Sequence, residues 1–256
     1  MNLTAVSAFS DNYIWMIDDG RSAIVVDPGE AGPVEAALDA KRLALAAILV
    51  THHHADHVGG VDRLRPRLQG PVFGPAREMV PQPCEGHIEG DVVEAMGLRF
   101  EVIDVPGHTA GHIAFFNSEG AGEPILFCGD TLFSAGCGKL FEGTPAQMHA
   151  SLVKLAALPD ATRVCCGHEY TVANLRFAQA VEPGNDAIAS HIAHCNGLRA
   201  EGKPTVPSPI GRERRINPFL RCAEPVVIDA AVAHGASGRG GAEVLAAIRT
   251  WKNAFR

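Results

Sequence analysis

The chain has 256 residues, of which 46% are hydrophobic and 20% charged. That is an ordinary globular composition and is long enough for one large domain or a domain with a smaller appendage. No run approaches the roughly 18 apolar residues of a membrane span, Met1-Asn2-Leu3-Thr4 does not begin a secretory signal, and the seven irregularly spaced cysteines form no disulfide framework. A cytoplasmic protein with no membrane partner is therefore expected. The net charge of −7 divides into −10 before His168 and +3 from His168 onward, and a net-acidic body argues against nucleic acid as a partner.

Leu3–Val6, Tyr13–Ile17 and Ala23–Asp27 read as strands, the last two as a hairpin turning at Asp18-Asp19-Gly20. Val34–Leu43 has helical spacing, and Leu45–Val50 is an apolar run that reads as a buried strand. It leads into Thr51-His52-His53-His54-Ala55-Asp56-His57, after which Val58-Gly59-Gly60-Val61 opens a predicted helix through about Arg65. Strands are expected at Pro71–Gly74, Asp91–Val93, Phe100–Val105, Ile113–Phe116, Ile125–Cys128 and Arg163–Cys166. A helix from Pro145 to Ala157 is capped by Thr144, with Pro145 at its first position. From Thr171 the pattern turns helical: Thr171–Val181, Asn185–Glu201, Val226–Val232 and Ala242–Phe255, joined by Pro- or Gly-rich links. The reading is an α/β body over residues 1–172 and a helical region over 173–256.

Strand after strand in the body ends in a potential metal ligand. His52 and His54 are two apart, so in extended backbone they project to one side and His53 to the other. Asp56 and His57 follow round the bend, and His108, Asp130 and His168 each follow a strand or turn. Imidazole and carboxylate are ligands that zinc and similar ions accept. Seven such residues suffice for two ions if one carboxylate bridges, and two ions about 3.5–4 Å apart are a hydrolytic device. Asp27, at a strand end, is expected to orient a ligand imidazole. His53 is read as a hydrogen-bonded residue and His112 as part of a turn. Cys165 and Cys166 are read as buried apolar positions, and Trp15 and Phe219 as core.

The ordered motifs T-H-x-H-x-D-H, P-G-H-T-x-G-H, G-D-T and G-H-E-Y resemble the metallo-β-lactamase superfamily from about Asp11-Asn12-Tyr13 to Tyr170. Within it the chain resembles the glyoxalase II (hydroxyacylglutathione hydrolase) family, through Ala135-Gly136-Cys137-Gly138-Lys139, Arg215-Ile216-Asn217-Pro218-Phe219-Leu220-Arg221 and Arg249-Thr250-Trp251-Lys252. The resemblance implies an αββα sandwich with a helical C-terminal substrate-binding domain and two divalent ions, zinc foremost, with iron or manganese as alternatives. His52, His54 and His108 would hold one ion, and Asp56, His57 and His168 the other, with Asp130 bridging. The implied reaction is hydrolysis of a glutathione thioester by a metal-bridging hydroxide, with Asp56 and Asp130 in the catalytic set. Lys139, Tyr170, Arg249 and Lys252 are the implied substrate contacts, and Phe141 stands where the family often has Tyr, which removes one hydroxyl contact. A monomer is expected. A mono-iron persulfide dioxygenase on the same fold is the alternative, but that family lacks the long helical C-terminus and the basic tail.

Overall fold

The computed structural model describes residues 1–119 and 122–255. In chain order the strands are β1 (Asn2–Ala8), β2 (Asn12–Asp18), β3 (Ser22–Val26), β4 (Ala44–Leu49), β5 (Val72–Pro75), β6 (Glu85–His87), β7 (Val92–Ala95), β8 (Leu98–Asp104), β9 (Ile113–Asn117), β10 (Ile125–Gly129), β11 (Leu132–Phe133), β12 (Gly136–Cys137), β13 (Arg163–Cys166) and β14 (Ser208–Pro209). The helices are α1 (Ala31–Lys41), α2 (Ala55–Val58), α3 (Val61–Leu64), α4 (Pro145–Ala156), α5 (Thr171–Val181), α6 (Asp186–Ala200), α7 (Ile210–Ile216), α8 (Pro225–Ala233) and α9 (Gly241–Ala254). Contacts divide the chain into two compact units that interleave along the sequence. The first comprises Met1–Asp104, Ala110–Gly129 and Cys165–His168; the second comprises Val105–Thr109, Asp130–Val164 and Glu169–Arg256.

In the first unit one sheet has the order β1-β2-β3-β4-β5-β6. It is antiparallel across β1, β2 and β3 and parallel from β3 to β6. All seven residues of β2 are buried, as a strand covered on both faces requires. On one face Ile14, Met16, Val25, Leu45 and Ile48 pack with Val34 and Leu38 of α1 and with Val61 and Leu64 of α3. The other face carries Trp15, whose indole N–H donates to the Cys166 carbonyl at 2.8 Å, so the first sheet meets the second there. That second sheet runs β10-β9-β8-β7 as an antiparallel meander, with β13 beside β10. Parallel β3, β4 and β5 bring their C-terminal ends to one edge, the edge at which open α/β sheets bind ligands.

The expected helix through Arg65 is instead two single turns, α2 and α3, followed by a 3₁₀ turn over Arg65–Arg67. Gly60 donates its N–H to Pro28 O at 2.8 Å rather than into the helix ladder, which interrupts the run. The helix also begins earlier than expected, at Ala55, so Asp56 and His57 lie on its first turn.

In the second unit α4 begins with the expected Thr144 cap, completed by Gln147 as a reciprocal capping box. Ala135, Leu175, Ala178, Ile188, Cys195 and Ile216 form a core for α5, α6 and α7. The β11–β12 hairpin, α7 and β14 have no periodic sequence signal at their lengths. Polar side chains hold them: Glu213, fully buried, accepts from Ser134 Oγ, Ser208 Oγ and the Ala135 N–H. Asn217 donates to Phe133 O and Gly136 O, and Asn174 donates to Ser134 O. Burial pushes the Glu213 carboxyl above the usual carboxylate range against those donors.

Candidate metal centre

The loop after β4 is held against the turn after β3 by backbone contacts that only glycine permits. A Cβ on Gly29 would lie 1.9 Å from Asp56 O, and one on Gly60 would lie 2.6 Å from Pro28 O. At the neighbouring strand end, Gly129 (φ +45°) leaves room for Thr51 Oγ1, which a Cβ would meet at 2.2 Å. Asp27 also has positive φ, +52°, and this turns its carboxylate toward the loop. Its Oδ1 accepts from the Thr51 N–H at 2.7 Å, and its Oδ2 from Thr51 Oγ1 at 2.7 Å and from His57 Nδ1 at 3.0 Å. Asp27 therefore orients an imidazole, as expected.

These bonds settle which nitrogen each ring presents. Asp27 and Asp11 accept from Nδ1 of His57 and His168, the latter at 2.8 Å. The single Thr51 hydroxyl hydrogen goes to Asp27, so the 3.1 Å contact with His52 Nδ1 is a donation from the ring. In the second unit His108 Nδ1 donates to Lys139 O at 2.8 Å. All four rings thus turn an Nε2 lone pair outward, the arrangement that metal-binding imidazoles use.

The outward-facing atoms converge. In the first unit Asp56, His57 and His168 bring one ligand atom each within 4.8 Å of one another. His168 Nε2 is 3.4 Å and His57 Nε2 3.7 Å from Asp56 Oδ2, while Asn12 Nδ2 donates to that same oxygen at 3.0 Å. His52 Nε2 and His54 Nδ1 face each other at 3.1 Å. In the second unit His108 Nε2 is 3.4 Å from Asp130 Oδ2. Ligand atoms around a tetrahedral zinc-sized ion, with bonds of about 2.0–2.1 Å, are about 3.3 Å apart. Both the donor types and the spacings therefore fit divalent metal. Asp27, His52 and His57 also converge, but Asp27 meets the His57 ring from its Nδ1 side and acts as its hydrogen-bond acceptor.

His53 sends its backbone N–H and Nδ1 to Glu78 Oε2, but its ring does not project to the opposite side as expected: it stands edge-on to the His54 ring, centroids 5.1 Å apart. His112 is buried and stacks on His52 with ring centroids 4.5 Å apart. Cys165, Cys166, Trp15 and Phe219 are buried, as read. Sequence reasoning assigned no role to Asp11, Asn12 or Glu78. Lone polar residues in turns carry no spacing signal, and only the D-N-Y triplet marked the first two.

In the second unit Lys139 is exposed and Phe141 is 64% exposed, its ring 5.3 Å edge-on from that of His108. Tyr170 packs edge-on against Phe133 at 5.2 Å. Arg249 and Lys252, on α9, are not plain surface charges. Arg249 is 7% exposed, lies over the Phe219 ring, and donates to Cys137 O at 2.8 Å. Its Nε is buried without a hydrogen-bond partner among the described residues. Lys252 donates to Ala173 O at 3.1 Å and sits 5.4 Å from the Phe177 ring centroid. Burial, and secondarily the Arg249 charge, brings the Lys252 ammonium pKa down to about 8. Among the described residues no helix is long and apolar enough to cross a membrane.

Residues 9–168 match the family model described as the metallo-beta-lactamase superfamily, and residues 169–255 match the one described as hydroxyacylglutathione hydrolase C-terminus. A protein from Albidiferax ferrireducens named hydroxyacylglutathione hydrolase is 57% identical over 255 residues, covering 100% of both chains. One of the same name from Cupriavidus taiwanensis is 54% identical over 265 residues, again covering 100% of both. Among solved structures, TTHA1623 in a di-iron-bound form is 27% identical, with a TM-score of 0.61 over 86% of this chain and 100% of that one. The architecture is thus the metallo-β-lactamase fold with a helical C-terminal region, as expected, and the chain belongs to the hydroxyacylglutathione hydrolase family of that superfamily.

Proposed function

We propose that the protein hydrolyses the thioester of S-2-hydroxyacylglutathione, in particular S-D-lactoylglutathione, to glutathione and a 2-hydroxy acid (D-lactate), the second step of methylglyoxal detoxification. The observation that carries this reading is the 57% and 54% identity, over 100% of the chain, with two proteins named hydroxyacylglutathione hydrolase. The donor geometry supports a centre of two divalent ions, zinc or alternatively iron or manganese. His52, His54 and His108 would hold one, Asp56, His57 and His168 the other, and Asp130 would bridge. Bound there, two such ions supply hydroxide near neutral pH and positive charge for the alkoxide developing at the thioester carbonyl. A relative crystallised in a di-iron-bound form accords with two ions.

The chain's own residues do the rest. Asp27, Asp11 and the Lys139 carbonyl accept from Nδ1 of His57, His168 and His108 and so hold the rings with Nε2 as the ligating nitrogen. Asn12 steadies Asp56. The leaving thiolate has a conjugate-acid pKa of about 8.5, so no strong general acid is needed. Glutathione carries two carboxylates, and Lys139, Tyr170, Arg249 and Lys252 are the proposed contacts. Arg249 Nε, buried with no hydrogen-bond partner among the described residues, supports a ligand acceptor there. Phe141 supplies apolar surface but no hydroxyl.

The test is loss of thioester absorbance when the purified protein meets S-D-lactoylglutathione. Steady turnover is expected. No turnover, with oxygen uptake on glutathione persulfide instead, would move the protein to the dioxygenase reading.

A further inference from the structure

Glu78 lies on the turn after β5 between two exposed neighbours, Arg77 and Met79, the latter 90% exposed. Its own side chain is 3% exposed. A carboxylate so buried is costly unless it is hydrogen-bonded, and three donors meet this one. Oε2 accepts from the His53 backbone N–H at 2.7 Å and from His53 Nδ1 at 2.9 Å, and Oε1 accepts from the Gly111 N–H at 2.9 Å. Gly111 is shaped to this contact, since a Cβ there would lie 2.7 Å from Glu78 Cγ.

We infer that Glu78 is a positioning residue for the metal ligands His52 and His54, acting through His53. One oxygen holds both the backbone and the ring of the residue between the two ligands. Fixing the His53 backbone N–H and ring on one carboxylate fixes the chain between the two ligands, and the held His53 ring stands edge-on to that of His54, centroids 5.1 Å apart, and limits where it can turn. The 3.1 Å approach of His52 Nε2 to His54 Nδ1 is the product. Parallel β4 and β5 end at the same sheet edge, so the turn after one can reach the loop after the other. Glu78 is not among the proposed ligands or substrate contacts, and the proposed second ion site, Asp56, His57 and His168, has its own orienting carboxylates in Asp27 and Asp11.

This inference rests on the proposed two-ion centre. The experiment is a zinc titration of the metal-free protein by chelator competition, with melting of the metal-free form as control, for wild type, Glu78→Ala, Glu78→Gln and His53→Ala. Removing an orienting partner typically costs metal affinity roughly 10- to 100-fold. Glu78→Ala should lose that much for one ion while the other binds as in wild type, whatever the metal-free Tm loses to the donors that Glu78 no longer accepts from. Glu78→Gln, which keeps one acceptor, should recover part of the loss. His53→Ala, which keeps its backbone N–H, should lose less than Glu78→Ala. Wild-type affinity for both ions in Glu78→Ala overturns the inference, and so does equal weakening of both with a lowered metal-free Tm. Should Glu78→Ala fail to fold, the other two variants decide: weakening of one ion supports the role, and unchanged binding of both overturns it. Wild type that binds only one ion would sink the two-ion reading instead.

Discussion

Asp27 takes three hydrogen bonds at the mouth of β3 and ties the Thr51 backbone, the Thr51 hydroxyl and the His57 ring to one carboxylate. Asp27→Ala should cost metal affinity roughly 10- to 100-fold by freeing the His57 ring, measured by chelator competition; wild-type affinity would show that Asp27 shapes only the turn. Lys252 offers a pH test. Its ammonium, lowered to about 8 chiefly by burial, is cationic below that pH and neutral above it. If it holds a glutathione carboxylate, KM should rise as pH passes upward through about 8 while kcat changes little, because this contact is remote from the reacting carbonyl. A flat KM between about pH 7 and 9 would remove Lys252 from the substrate site. The His and Asp ligand candidates were legible from T-H-x-H-x-D-H and the strand-end pattern. Asp11 and Glu78 were not, because their partners lie 157 and 25 residues away.

Among the elements, those set by their own sequence were legible and those set by tertiary contacts were not. Thr171–Val181 and the Thr144-capped α4 follow from periodicity and capping. The break between α2 and α3 depends on Gly60 meeting Pro28, and the two-residue strands β11 and β12 depend on Glu213, Asn217 and Asn174. Glu213→Ala would strand two buried hydroxyls and a backbone N–H, so a loss of about 3 kcal/mol or more is expected in denaturant unfolding. A loss below about 1 kcal/mol would mean that the hairpin holds itself. Gly29→Ala tests the loop clamp. Its Cβ must displace Asp56 O, so the Asp56, His57 and His168 ligands should separate, and metal analysis of the variant should find that ion missing or weakly held. Full occupancy would show that the loop yields without cost.

Across the whole molecule, the change from alternating strands and turns to helices near Thr171 was visible in the chain, and the family models meet close by, between His168 and Glu169. The two compact units are another matter. They interleave, with 105–109 and 130–164 grouped with the helical residues, a pairing that no local pattern encodes. Charge does follow the linear order: the helical end is net basic and the rest net acidic. At this scale the proposal is that two ions held by these ligands would supply the hydroxide for hydrolysis of a glutathione thioester. It is tested most directly by adding zinc stepwise to metal-free protein, wild type and Asp130→Ala, and following S-D-lactoylglutathione hydrolysis at each step. Wild-type activity should reach its plateau at about two equivalents per chain, and Asp130→Ala should lose both metal uptake and turnover. A wild-type plateau at one equivalent, or full activity in Asp130→Ala, would contradict it.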